Sequence, residues 1–319
     1  MKQLFCTIND SSSEYVWNTW SDEAKSMLKN MTNELSGIVT KVEQIEPSEQ
    51  YGLSYIANTI MTPNLNSSIK EIANCLYMFK PSEEIVLLQD LLFDDFGASE
   101  LHALFSLLSA ELCKDRSCTI SFHSPIESET ADQGFPVHAD LFCSRVLFNV
   151  ISFMDDNDGG DILLLSNQQL QKAMKDCEDM PARAKNIIIK LLTNRSHKDK
   201  FNEVFDLMYR QDSWSYELIQ KIDERLMRIP TKVGMGYLII DGLWLHGRSA
   251  IRGPVHSKRL QRLVFDNKTT LSFPYVNLSA ADNEYIDELL KKTHRLNKKS
   301  KSKSLSFKAK SILPNSNIN

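Results

Sequence analysis

The spacing of apolar side chains predicts helices in the first part of the chain. Over roughly the first 80 residues, apolar positions recur at intervals of three and four, the period of an amphipathic helix. They include Trp17, Trp20, Met27, Leu28, Met31 and Leu35. A short apolar run at 84–89 has the length of a strand, and an apolar stripe over 99–113 predicts another helix. We therefore expect a helical N-terminal flank over residues 1–80.

Short apolar runs rich in β-branched and aromatic residues begin at Cys118 and predict a β core. Each run is bounded by Gly, Asn or Asp, as strands commonly are. The runs cover residues 118–123, 145–153, 161–166, 236–241 and 262–266. Between the third and fourth runs, helical periodicity predicts an insertion of three or four helices over about 167–230. The predicted fold class is α+β: a β core, a helical N-terminal flank and a helical insertion.

The end of the chain has a different composition. Nine Lys and Arg residues and no acidic residue lie between Lys291 and Lys310, among many serines. Low apolar content with like charges predicts disorder. We therefore expect a single domain over residues 1–290 and a basic, disordered tail over 291–319.

The composition of the chain restricts the possible classes of function. Of the 319 residues, 42% are hydrophobic and 24% are charged, which is ordinary for a soluble protein. Residues 1–290 carry 28 basic and 41 acidic side chains, and this acidic body argues against nucleic-acid binding by the folded domain. No apolar run has the ~18 residues of a membrane helix, and the polar start is unlike a signal peptide. We expect a cytoplasmic protein that acts on a small molecule without membrane contact, in an oligomeric state that stays open.

Three residues form a candidate metal site. In His138-Ala139-Asp140, the His and Asp would face the same way on an extended strand. An imidazole and a carboxylate suit a first-row metal, and a second His would complete a 2-His-1-carboxylate set with open positions. The candidate is His246, which follows an apolar strand and a turn. We expect the adjacent Gly247 to leave room for the metal.

Two basic residues beyond His246 are candidate ligands for anions. Lys258 and Arg262 are four positions apart, so they would share one face of a strand, about 13 Å apart at ~3.3 Å per residue. Cations that point into a β core are costly unless they meet anions. The pair therefore predicts a carboxylate-bearing co-substrate and an anionic substrate. The guanidinium of Arg262 suits a carboxylate better than an ammonium does, but Lys258 stays open.

The order of these motifs resembles a known family. The H-x-D string, the Gly-Gly turn at 158–161, the L-H-G-R string at 245–248 and the basic strand resemble Fe(II)- and 2-oxoglutarate-dependent oxygenases. The similar members are of the taurine dioxygenase and clavaminate synthase type and include gamma-butyrobetaine and glutarate hydroxylases. The resemblance covers roughly residues 84–266, apart from the helical insertion. It implies a double-stranded β-helix (jelly-roll) core.

The resemblance also implies an activity and a set of ligands. Fe(II) would be bound by His138, Asp140 and His246, with 2-oxoglutarate and O2 as co-substrates and Arg262 or Lys258 on the far carboxylate of 2-oxoglutarate. The implied reaction is hydroxylation of an unactivated C–H bond, with release of succinate and CO2. Asp140 argues for oxygen transfer, since related halogenases have a small residue there.

The substrate is expected to be a small carboxylate, such as an amino acid or a metabolite derived from one. Arg248 and Phe142 are candidate substrate contacts. The helices of the insertion would form a lid that excludes water from the reaction.

Two positions depart from the family pattern. Ile162 stands where Thr or Ser is common, and one register of the basic strand puts Lys258 where the co-substrate arginine would be. An inactive binding or scaffold protein therefore stays open, as do desaturation and cyclisation by the same iron chemistry. A cupin-like metal enzyme is a further alternative, but such proteins usually carry a denser set of His and Glu, and no other His lies within 14 residues of His138.

Overall fold

The structure is a computed structural model with a mixed helix and sheet fold. It describes residues 4–8, 15–43, 61–78, 85–113, 118–123, 134–140, 142, 144–152, 158–193, 200–252, 259–265 and 278–301. Within these ranges, the helices are α1 Asp22–Glu43, α2 Pro63–Met78, α3 Ala98–Cys113, α4 Asn167–Asp176, α5 Ala182–Thr193, α6 Phe201–Tyr209, α7 Ser215–Asp223 and α8 Ala280–Lys301. None of these helices is long and apolar enough to cross a membrane.

The strands of the described residues form three sheets. They are β1 Phe5–Ile8, β2 Trp17–Trp20, β3 Val86–Leu88, β4 Cys118–His123, β5 Phe135–His138, β6 Arg145–Ser152, β7 Asp158–Gly159, β8 Ile162–Ser166, β9 Met227–Ile229, β10 Gly236–Ile240, β11 Trp244–Arg248, β12 Ile251–Arg252 and β13 Arg259–Phe265. A seven-stranded sheet has the order β1-β2-β3-β10-β6-β13-β4, a four-stranded sheet has the order β5-β11-β8-β9, and β12 pairs with β7. All pairings are antiparallel except that of β2 with β3.

Side chains that alternate along the strands separate the core into layers. Leu147 and Leu263 of the seven-stranded sheet pack with helices α1 to α3. Their neighbour Val146 faces the other way and packs with Leu164 of the four-stranded sheet. Leu165 of the same strand instead packs with the insertion helices. The order of layers is therefore helices, seven-stranded sheet, four-stranded sheet, helices, and the two sheets face each other.

The prediction of a wholly helical N-terminal flank is wrong at its start. Trp17 and Trp20 lie on β2, which pairs with β1 on one side and with β3 on the other. The Trp20 indole Nε1 donates a hydrogen bond to the Leu91 carbonyl at 3.0 Å. Pairing with a strand about 70 residues away therefore outweighs the local spacing of three, which also fits a helix. Helices α1 and α2 form the remainder of the flank.

The insertion and the end of the chain are joined by helix packing. Four helices, α4 to α7, lie between β8 and β9, as the periodicity predicted. Ile286 and Leu289 of α8 pack in the same apolar cluster as these helices, and Asp282 pairs with Arg183 of α5 at 3.2 Å. Helix α8 continues to Lys301, so it overlaps the first 11 residues of the predicted tail, whose disorder stays a prediction. Residues 302–319 lie outside the described part of the chain.

Candidate metal centre

The three candidate metal ligands come together between the two facing sheets. His138 and His246 are directly opposite each other in the pairing of β5 with β11, and their ring centroids are 4.6 Å apart. His246 is also opposite Leu164 of β8, which faces the seven-stranded sheet, so the imidazole faces the same way. One ligand atom each of His138, Asp140 and His246 lies within 4.8 Å of the others.

Asp140 reaches the site from a bend rather than from a strand. Strand β5 ends at His138, so the expectation that both residues of H-x-D lie on one extended strand is wrong. The bend still brings the carboxylate between the two imidazoles. Its Oδ1 is 3.4 Å from His138 Nε2, and its Oδ2 is 3.3 Å from His246 Nε2. The chain turn after the strand therefore supplies the convergence.

The Nδ1 nitrogen of each imidazole faces a protein oxygen. His138 Nδ1 lies 2.9 Å from the Pro136 carbonyl oxygen, which only accepts hydrogen bonds, so Nδ1 donates and Nε2 keeps its lone pair. His246 Nδ1 lies 3.4 Å from Oδ1 of Asp241, a fully buried carboxylate. Partners of this kind fix the tautomer and the orientation of a metal-binding histidine. Both Nε2 atoms are therefore oriented to act as ligands.

The charge state of His138 also suits metal binding. Burial, followed by the nearby His246, lowers the pKa of His138 to about 3. The imidazole is therefore neutral at neutral pH, the form that binds a metal.

The donor set fits a first-row divalent metal such as iron. Two imidazole nitrogens and one carboxylate form the 2-His-1-carboxylate face that leaves coordination positions open. Donors about 2.0–2.2 Å from a metal, at right angles to one another, lie roughly 3 Å apart. The separations of 3.3 and 3.4 Å between the Asp140 oxygens and the two Nε2 atoms are close to that value. The type and the spacing of these donors therefore fit such an ion.

Two arginines face the candidate metal centre from different sheets. Arg262 lies on β13 of the seven-stranded sheet, and its Nη1 donates to Asp140 Oδ2. Arg248 lies two residues beyond His246 on β11, on the same face of the strand, and its Nη1 donates to the Ser249 carbonyl at 3.1 Å. Burial lowers the pKa of both guanidinium groups. Lys258, the other predicted co-substrate ligand, lies outside the described residues.

Other sequence-predicted positions have apolar surroundings. Phe142 is fully buried in the cluster between the four-stranded sheet and the insertion, and its contact with substrate stays a prediction. Ile162, which stands where the resemblance implied a hydroxyl, is buried between the two sheets with Leu164 and Ile229. Its surroundings are therefore apolar as well.

Gly247 lies where the backbones of β5 and β11 approach each other closely. A Cβ atom at this position would lie 2.6 Å from the Phe135 oxygen and 2.9 Å from the Val137 nitrogen, both backbone atoms of β5. The register of β5 against β11 shifts between His246 and Arg248. The glycine therefore lets β5 approach β11 where its shifted register places His138 opposite His246. The expectation that it makes room for the metal stays a prediction beside this strand-packing role.

Sequence reasoning missed two features of the site. Asp241 is the one acidic residue in the apolar string that precedes His246, and a lone carboxylate at the end of a buried strand was a usable signal. Phe201, Phe205 and Tyr209 recur every four residues, which places three aromatic rings on one face of a helix. That periodicity was visible, but the strand against which the face packs was not.

Asp241 should affect metal affinity without binding the metal. In Asp241→Asn the side chain keeps its size but loses the charge that faces His246 Nδ1. We expect the dissociation constant for Fe(II) or Co(II) to rise about 10- to 100-fold, the usual effect of an outer-shell partner. Anaerobic titration followed by Co(II) absorbance measures this constant. Asp282→Asn, which alters a carboxylate on α8, is the control, and equal affinities for the two variants would contradict the role.

Comparisons with known proteins gave matches among solved structures alone. No protein-family model and no curated protein matched the sequence. The non-haem iron oxygenase OrfP in complex with Fe has a TM-score of 0.40 and 12% identity, covering 82% of this chain and 97% of that one. Asparagine oxygenase with Fe(II), 2S,3S-3-hydroxyasparagine and succinate has a TM-score of 0.39 and 10% identity, covering 77% and 92%.

A third similar structure is PvcB, described as an Fe, alpha-ketoglutarate dependent oxygenase from an isonitrile synthetic pathway. Its TM-score is 0.37 at 10% identity, and the match covers 66% of this chain and 84% of that one. A second structure of PvcB is from Pseudomonas aeruginosa. All three neighbours are iron-dependent oxygenases. At these identities and TM-scores the likeness assigns neither a reaction nor a substrate to this chain.

Proposed function

We propose that the chain is an Fe(II)- and 2-oxoglutarate-dependent oxygenase with its metal on His138, Asp140 and His246. The observation that carries the proposal is the convergence of these three donors within 4.8 Å. The Nδ1 atom of His138 is hydrogen-bonded to the Pro136 carbonyl and that of His246 faces the Asp241 carboxylate, which supports ligation through Nε2. The set leaves metal positions open for a co-substrate and for O2.

The same proposal interprets the architecture. The two facing sheets would be the two halves of a double-stranded β-helix, within a single domain that spans residues 1–290. Helices α4 to α7 would act as the lid, since they follow β8 directly and Phe201 of α6 reaches the ring of His138, at 5.6 Å between centroids. A lid of this kind would exclude water from the reacting atoms.

The chain's own residues would bind and orient the reactants. When bound, iron with 2-oxoglutarate and O2 supplies the oxidation of a C–H bond, with release of succinate and CO2. Asp140 would supply a negative charge that partly offsets that of the metal, and the imidazoles of His138 and His246 would supply the two nitrogen donors. Arg262, whose guanidinium already contacts Asp140, lies close enough to pair with a carboxylate bound beside that residue. A guanidinium binds a carboxylate through two parallel hydrogen bonds.

The proposed substrate is a small carboxylate, such as an amino acid or a metabolite derived from one, and hydroxylation is the proposed outcome. A second cation, Arg248, supports this class, because it faces the same space as His246 and would meet a substrate anion there. The apolar Ile162 favours one alternative, a relative that binds ligands without turnover, because a hydroxyl contact to the co-substrate would be missing.

An anaerobic binding experiment tests the proposal directly. Purified protein is mixed with Fe(II) and 2-oxoglutarate, and a visible metal-to-ligand charge-transfer band is expected. Exposure to O2 should then release succinate, and a product that gains one oxygen by mass spectrometry would establish hydroxylation. Absence of the band would overturn the proposal, whereas a band without succinate release would favour the non-catalytic alternative.

Arg262 should contribute mainly to co-substrate affinity. In Arg262→Gln the cation is lost, and a hydrogen bond to a charged group is worth about 1.5–3 kcal/mol. We therefore expect the 2-oxoglutarate concentration at half-maximal charge-transfer absorbance to rise roughly 10- to 100-fold. Arg225→Gln is the matched control, because Arg225 is also partly buried and pairs with a carboxylate, that of Asp176. An unchanged midpoint for Arg262→Gln would leave the role to Lys258.

A further inference from the structure

Helix α6 carries a row of aromatic side chains toward the candidate metal centre. Phe201, Phe205 and Tyr209 are four residues apart, so they share one face of the helix. Their ring centroids are separated by 5.7 Å and 5.0 Å along the row. Phe201 at the near end is 5.6 Å from the ring of His138 in an edge-on arrangement. The insertion thus reaches a proposed metal ligand through aromatic contacts.

Phe135 of β5 joins this row from the strand. Its ring is 6.1 Å from that of Phe205 and 4.4 Å from that of His138. The Phe135 side chain is 43% exposed, and Phe201 and Phe205 are partly exposed as well. We name Phe135, Phe201 and Phe205 the aromatic wall. Apolar surface left open beside polar groups that converge on one site is typical of a ligand-binding site.

Tyr209, the residue of the row that lies outside the aromatic wall, fixes helix α6 to β5. The Tyr209 hydroxyl donates a hydrogen bond to the Val137 carbonyl at 2.5 Å, one residue before His138. Burial raises the pKa of Tyr209, so the hydroxyl keeps the proton that it donates. Helix α6 is therefore tied to β5 next to the metal centre, and the exposed rings form a preformed surface.

The charges around the aromatic wall favour an apolar group over a cationic one. The Arg210 guanidinium lies 5.5 Å from the centroid of the Phe205 ring, and it is paired with Asp206 at 2.9 Å. One face of the Phe205 ring, the part of an aromatic ring that attracts a cation, is therefore already occupied. Arg248 is opposite Phe135 in the strand pairing, so a positive group also lies at the other side of the wall.

We propose that the aromatic wall receives an apolar or aromatic side group of a carboxylate-bearing substrate, whose carboxylate lies near Arg248. This inference rests on the proposed oxygenase function and narrows its substrate class. Amino acids with branched aliphatic or aromatic side chains can bury apolar surface against these rings, whereas a charged side chain, acidic or basic, would lose water there without an apolar contact in return.

A panel of four amino acids tests the substrate class. The protein with Fe(II), 2-oxoglutarate and O2 is supplied with L-leucine, L-phenylalanine, L-aspartate or L-arginine, and succinate above the substrate-free background is measured. Leucine or phenylalanine should stimulate succinate release most. The substrate class is overturned if aspartate or arginine is the best of the four, or if none stimulates release. Failure of the proposed function is recognised separately, since the anaerobic charge-transfer band would then be missing before any amino acid is added.

Two substitutions in the aromatic wall test its role. Phe135→Ala, at an exposed position, and Phe205→Leu, which keeps bulk, should each raise KM for the best apolar amino acid by on the order of ten-fold. The band formed with Fe(II) and 2-oxoglutarate should keep its intensity, and the thermal midpoint checks folding. Tyr216→Ala is the control, because it removes another aromatic ring, one that is 65% exposed on α7. It should leave KM, the band intensity and the thermal midpoint unchanged.

The opposite pattern would assign the aromatic wall another role. If the variants weaken metal binding and the charge-transfer band but leave KM unchanged, the rings support His138 and do not contact substrate. An unchanged KM together with an unchanged band overturns the inference as well.

Discussion

Replacing His246 with alanine should remove Fe(II) binding and turnover together. The variant keeps one histidine and one carboxylate, a set too small to hold the metal at one face. We expect the dissociation constant for Fe(II) or Co(II) to rise well beyond the roughly 100-fold that loss of an outer-shell partner causes. Anaerobic metal titration and the charge-transfer band measure this loss. His102→Ala, which removes an imidazole from α3 instead, should bind metal as the unaltered chain does.

The metal-free form of this variant gives a second, independent measurement. His246→Ala leaves the fully buried carboxylate of Asp241 without its imidazole neighbour, and a buried charge that loses a partner is destabilising. The thermal midpoint should therefore fall, and the double variant His246→Ala, Asp241→Asn should recover part of the loss. Metal binding that survives His246→Ala would contradict the proposed ligand set.

Gly247→Ala should disrupt both folding and metal binding, although it adds a single methyl group. The new Cβ would lie 2.6 Å from a backbone oxygen of β5, so β5 or β11 must shift. Overpacking of this kind costs about 1–3 kcal/mol, which would lower the thermal midpoint by several degrees. Since β5 carries His138, the shift should also separate the two imidazoles and weaken metal affinity.

Gly37→Ala is the matched control for this prediction. Gly37 lies within α1, and a Cβ there meets nothing within 4 Å. Alanine should stabilise the helix by about 0.5–1 kcal/mol, so the two variants should move the thermal midpoint in opposite directions. Wild-type stability and metal affinity in Gly247→Ala would show that the close strand approach is not required.

Sequence periodicity was informative where local pattern and packing agree. The strands at 118–123 and 145–153, the helix at 99–113 and the helical insertion were all predicted near their observed bounds, because the local apolar pattern of each agrees with the element that it forms. Trp17 and Trp20 were misassigned because strand β2 depends on distant pairing partners. A spacing of three residues does not reveal such partners.

The candidate site was predictable in its donors but not in their support. His138, Asp140 and His246 stand out because their residue types and order are those of a known metal face. Asp241 was missed because its importance depends on a 3.4 Å contact with His246 that only the turn between β10 and β11 creates. The strand-packing role of Gly247 was missed for a similar reason, since β5, the strand that packs against it, lies more than 100 residues earlier.

The division of the site between the two sheets has a consequence for the stability of the folded chain. Both histidines belong to the four-stranded sheet, and Asp140 follows directly on one of its strands, whereas Arg262 projects from the seven-stranded sheet. The Arg262–Asp140 contact already joins the two sides. Under the proposed function, a metal ion would be held by the four-stranded sheet alone, and 2-oxoglutarate paired with Arg262 would add a second link to the other sheet. A ligand held by residues of both sheets stabilises the folded chain, so the free energy of unfolding should rise when the site is occupied.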